Sequence, residues 1–107
     1  MDRRIDIHLV RSGQPRPYAN HERLYRVTIQ YDLDIAREPA PEMVKQHALD
    51  AVGAYRYVQL GERKTGTLND YAQTYVEKCD LVSLQSAHRG DDSRCEVEIL
   101  ISEPFID

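Results

Sequence analysis

"TGTLNDYAQTYVEKC", residues 65–79, carries an apolar set at Leu68, Tyr71, Ala72, Tyr75, Val76 and Cys79. Those intervals place the side chains along one side of a helix with 3.6 residues per turn. Thr67 stands where an N-capping hydroxyl belongs, and Asp70 holds the capping-box position three residues on. The stretch predicts a helix, and the fold class follows from that reading.

Upstream, "AREPAPEMVKQHALDAVGAYRYVQLG", residues 36–61, has the same period. Pro41 suits a first helical turn, Glu42 suits the positive end of the helix, and Gly61 suits an ending. Val44, Ala48, Ala51, Val52, Tyr55 and Val58 form its stripe. These residues predict a first helix.

The flanks alternate instead. In "RRIDIHLVRS", residues 3–12, Ile5, Ile7 and Leu9 oppose Asp6, His8 and Val10. In "RLYRVTIQYDLDI", residues 23–35, Val27, Ile29, Tyr31, Leu33 and Ile35 oppose Arg26, Thr28, Gln30, Asp32 and Asp34. Period two is the mark of a half-buried strand. The proline-rich residues 13–22 read as the loop between them. At the other end "DLVSLQSA" (80–87), presenting Val82 and Leu84, and "RCEVEILIS" (94–102), presenting Cys95, Val97, Ile99 and Ile101 on one face, flank the turn-forming "HRGDDS". The expected fold is α+β: a single domain over residues 1–107 in ββααββ order. Its four-stranded antiparallel sheet has two helices packed on the apolar face.

Composition agrees with a thin core. Leu, Ile, Val and Phe supply only 25 of the 107 residues, which suits one sheet covered on one side. Net charge is −4, split between +3 over residues 1–30 and −7 over the remainder. A mildly acidic chain is a poor ligand for nucleic acid or anionic membranes. The sequence has no apolar run near the ~20 residues of a membrane span and no signal-peptide pattern, so a cytoplasmic protein is expected. Cys79 and Cys95 are too few and too far apart for a disulfide scaffold or a zinc site. His8, His21 and His88 fit no metal-ligand spacing, and neither metal nor cofactor is expected.

Several motifs invite a function and then lose it. "QLGERKTGT", residues 59–67, has the glycines of a phosphate loop, but Lys64 lies inside the loop instead of directly after Gly66. A Walker loop needs that lysine where it can reach the outer phosphates. A turn between helices is the better reading. Arg89-Gly90-Asp91 is likewise turn chemistry in a chain with no mark of export. His47 and Asp50 share a helix face as an acid–base pair, the basis of an enzyme alternative, yet no nucleophile motif accompanies them.

What remains are contact surfaces. Asp6, Asp32, Asp34, Glu96 and Glu98 against Arg26 and Arg94 make the polar sheet face net acidic, without the aromatic rings that stack bases. Tyr55 and Tyr57 flank Arg56, and tyrosine and arginine are enriched at interface hot spots. Phe105, the only Phe, follows the last strand. The expectation is a non-catalytic protein-binding module, a small acidic regulator or inhibitor of the kind phages and mobile elements also encode. Its partner is another protein, met through Tyr55, Arg56, Tyr57, Phe105, Asp32, Asp34, Glu96 and Glu98. Edge-strand pairing into a homodimer is compatible with this. The alternative is nucleic-acid binding through Arg3, Arg4, Arg11, Arg16 and Arg23 with Tyr18.

Overall fold

Alternation along two strands, one toward each end of the chain, builds the core. The computed structural model describes residues 3–14, 20–31, 40–56, 60–62, 74–85 and 93–104. Strands β1 (Arg3–Ser12) and β2 (Asn20–Tyr31) are followed by helix α1 (Pro41–Arg56), a two-residue β3 (Gly61–Glu62), and strands β4 (Tyr75–Gln85) and β5 (Ser93–Pro104). The sheet order is β1-β2-β5-β4-β3, antiparallel throughout except for the parallel β3–β4 pair. β2 and β5 run side by side without interruption from Asn20↔Pro104 to Tyr31↔Ser93. Tyr25, Val27, Ile29 and Tyr31 of β2 and Cys95, Val97, Ile99 and Ile101 of β5 are essentially inaccessible to solvent on their shared face. Each aliphatic side chain buried this way contributes roughly 1.5–3 kcal/mol.

The expected ββααββ order is corrected here. Among the described residues there is one helix, and Tyr75–Gln85, whose first residues carry the end of the expected second helix, is strand β4. Residues 63–73, with the proposed cap at Thr67 and Asp70, lie outside the described residues. The cause lies in two bulges. The β4–β5 register slips between Val76 and Lys78 and again between Leu81 and Ser83, leaving Glu77 and Val82 as extra residues. A bulge interrupts the period of two at each site. Val76, Cys79, Leu81 and Leu84 consequently stand opposite Ile101, Ile99, Val97 and Cys95 on the inner face, at intervals of three, two and three. Such spacing resembles a helical stripe. Pairing with the long β5 overrides that local pattern.

Helix α1 links β2 to β4, which are parallel to each other with β5 between them. The connection therefore crosses over β5 and lays the helix on the inner face. Val44, Ala48 and Val52 are fully buried against the sheet, with Met43 and Leu49 packed beside them. That part of the expected stripe holds; Tyr55, one turn further on, is exposed. Gly61 belongs to β3 instead of ending the helix. At about 24 Å, the 16-residue helix is shorter than a 12-residue strand of about 40 Å.

Candidate functional site

Leu9 lies on the inner face of the edge strand β1, directly opposite Tyr25 of β2. Tyr25 is buried, and Tyr55 from the last turn of α1 meets its ring edge-on, with centroids 6.4 Å apart and planes at 74°. Leu9 remains 49% exposed and Tyr55 59%. Val10, 50% exposed, is the extra residue where the β1–β2 register shifts between Leu9 and Arg11. Of the four exposed large hydrophobic residues among those described, Leu9 and Tyr55 both adjoin Tyr25 and Val10 follows Leu9 at the bulge; the fourth is Val82. The Tyr25 hydroxyl beneath has no hydrogen-bond partner among the described residues. Beside the corner runs the outer edge of β1, which no described strand covers.

The outer sheet face is a lattice of opposite charges. Arg26 donates to Glu98 at 2.6 Å, and Arg4–Asp6, Lys78–Asp80 and Arg94–Glu96 pair at 3.9, 3.2 and 3.7 Å. The hydrogen bond with Glu98 and its charge hold the Arg26 pKa above the usual arginine value. Among the described residues, Arg4, Arg11, Arg26, Lys78 and Arg94 face Asp6, Glu22, Asp80, Glu96 and Glu98. Asp32 and Asp34 lie outside the described residues, and the surplus of acid expected among the rest is offset by Arg4, Arg11 and Lys78, which the expected face left out. Sequence reading does not place Lys78 there because the expected second helix runs to Cys79, nor Asp80 because a period of two through Val82 and Leu84 turns it inward until the bulge at Val82 reverses the faces. A shallow depression of about 200 Å³ is floored by Leu24 and Leu100 and rimmed by Arg11, Lys78, Asp80 and Glu98.

The structure does not gather the candidate arginines. Arg23 turns to the inner face, where its Nε donates to His21 Nε2 at 3.2 Å and contacts the buried carboxylate of Glu103. His21 and Glu103 are register partners 3.6 Å apart at the far end of the β2–β5 ladder. Arg4 and Arg11 lie on the opposite face, and Arg11 makes no ion pair with a described residue. Arg16, Tyr18, Tyr57 and Phe105 fall outside the described residues, as do the side chains of Arg3 and Arg56. Sequence reading missed the His21–Arg23–Glu103 cluster, since only the register places residue 103 against residue 21.

The acid–base pair does not assemble either. His47 Nδ1 lies 2.8 Å from the Tyr31 hydroxyl, while Asp50 accepts from Gln46 Nε2 at 2.8 Å. No hydrogen bond joins His47 to Asp50. A cleft of about 680 Å³ opens between α1 and β4, lined by Leu49, Asp50, Leu60, Val76 and Cys79 among others. Burial pushes the Cys79 thiol up, and pushes Cys95 up to about 11, so both stay protonated and weakly nucleophilic near neutrality. The described residues contain no group of three or more metal-ligating side chains. Nor does any helix among them have the length and apolarity to cross a membrane.

No protein-family model, no curated protein and no solved structure matches this chain. Function is therefore read from its own residues. The corner at Leu9, Val10 and Tyr55 offers apolar area beside a strand edge that no described strand pairs with.

Proposed function

We propose that this protein is a non-catalytic binding module, acting as a regulator or inhibitor by protein–protein contact at the corner formed by Leu9, Val10 and Tyr55. The observation that carries the reading is the exposure of Leu9 and Tyr55 beside buried Tyr25, with exposed Val10 at the adjoining bulge, next to an edge of β1 that no described strand covers. Exposed apolar groups scattered singly are ordinary; a cluster next to a strand edge favours a partner. Further support comes from the engaged polar groups: His47 is held by Tyr31, Arg23 by Glu103, and the described outer-face cations other than Arg11 each pair with a carboxylate. Among the described residues, little free positive charge is left to follow a phosphate backbone.

The test compares affinity capture by the wild type with capture by Val10→Ser and Tyr55→Ala, each first shown to be folded by circular dichroism. The expected result is one specific protein partner, resistant to nuclease, whose recovery falls at least tenfold on both variants. Equal recovery on the variants, or recovery of nucleic acid with binding that drops steeply with salt, would overturn the reading.

A further inference from the structure

Among the described strands β1 ends the sheet, and its regular stretch has a sequence able to pair with itself. We propose that a second copy of this chain binds there, its β1 antiparallel to the first about a two-fold axis at Ile7, so that the two sheets become one. In that register Ile7 faces Ile7, Ile5 faces Leu9, and Asp6 faces His8 of the other copy. The inner-face residues Ile5, Ile7 and Leu9 then meet their own kind, and the outer-face residues Asp6 and His8 supply a carboxylate against an imidazole. Directly opposed side chains on neighbouring strands lie about 4.5–5.5 Å apart at Cβ, close enough for both contacts.

Neighbouring registers are worse for stated reasons. Moving by one residue at each end sets Asp6 against Asp6, or His8 against His8, placing like groups across the axis. A slip of single-residue parity turns apolar side chains toward polar ones on every pair. The chosen register also gives Leu9 cover that its own fold withholds: it sits on the core face yet remains 49% exposed. Ile5 and Ile7 are likewise only half-buried. The bulge at Val10 ends the regular edge just beyond Leu9, so the new ladder spans residues 5–9 in each copy. A two-fold pairing is isologous: it uses the β1 edge of both copies and closes as a dimer through that edge.

This deepens the contact reading by naming one partner, and a different measurement decides it. Sedimentation equilibrium of the purified protein is expected to show a concentration-dependent monomer–dimer equilibrium. Asp6→Lys and His8→Glu, taken singly, each remove the attraction at both symmetry-related contacts and are expected to weaken the dimer at least tenfold. The double variant sets an ammonium against a carboxylate at both contacts, with the charges exchanged between the two positions, and is expected to restore it. A wild type that stays monomeric at every concentration overturns the proposal, and a double variant no tighter than the singles overturns the register. Monomeric wild-type protein that still captured another protein through Tyr55 would leave the contact reading standing while this one fell.

Discussion

The phenolic oxygen of Tyr31, the last residue of β2, lies 2.8 Å from Nδ1 of His47 in α1. The bond ties the middle of the helix to the end of the strand that leads into it, and holds a tyrosine hydroxyl that is otherwise within the core. Tyr31→Phe is expected to cost about 1 kcal/mol of stability, the net value of one such hydrogen bond. His47→Ala is expected to cost a similar amount, with a coupling of about 0.5–1.5 kcal/mol in a double-mutant cycle read by urea denaturation. Additive effects would mean that the two groups do not interact. If His47→Ala instead abolished a catalytic activity in a fully stable protein, the binding reading would be wrong.

Buried Cys95 makes the fold sensitive to alkali. Its thiol is raised from 9.0 to about 11 by burial alone, while in the unfolded chain it titrates near the ordinary value. Above about pH 9 the unfolded chain releases a proton that the folded one keeps, so stability is full below this window and falls as pH rises through it toward 11. The steepest loss from this one group is about 1.4 kcal/mol per pH unit. Subtracting the urea-midpoint profile of Cys95→Ala from that of the wild type isolates it from lysine and tyrosine titration. A flat difference between pH 8 and 11 would show that the thiol is not buried in solution.

Val82 and Leu81 adjoin in sequence but differ in role. Val82 is the bulged residue and 51% exposed, whereas Leu81 packs against the core opposite Val97. Val82→Lys is expected to change stability by less than about 0.5 kcal/mol, and Leu81→Ala to cost about 2 kcal/mol. A larger cost at Val82 than at Leu81 would mean that Val82 shares the inner face with Leu84, as a strand without the bulge requires.

Glu103 is 5% exposed at its side chain and contacts both Arg23 and His21. Glu103→Gln is expected to cost about 2 kcal/mol or more, because it leaves the guanidinium without its charged acceptor in a largely dry site. Arg23→Ala should lower stability too, with no change in any salt-dependent association. Thermal unfolding of both variants, together with nucleic-acid titration at two salt concentrations, checks the pair of statements.

The sequence by itself determined the parts of this protein where local pattern and final environment coincide. β2 and β5 were legible because they lie inside the sheet with an unbroken register, so each inward position from Val27 to Tyr31 and from Cys95 to Ile101 repeats at two. Most of α1 was legible because Val44, Ala48 and Val52 face one sheet at helical spacing. Tyr55 was counted in the inward stripe ahead of Val58, and that part of the reading fails, since it is 59% exposed.

Tertiary structure alone decided the rest. The sequence reading of residues 80–87 as a strand holds over Asp80–Gln85; Tyr75–Cys79 is strand as well because β5 supplies it with a ladder, and bulges at Glu77 and Val82 broke the period that would have announced that start and the facing of the rest. The same bulges hid Lys78 and Asp80, which help to neutralise the outer face. Arg23 looked like a free cation until the register brought Glu103 beside it, and His47 took Tyr31 in place of its helical neighbour Asp50. Leu9 alternates as a core residue should, yet its strand stands at the sheet's edge and leaves it half in solvent. Each of these outcomes depends on which distant segment arrives alongside. Periodicity reports the face a residue occupies on its own element, whereas the neighbour across the gap is set by register and strand order.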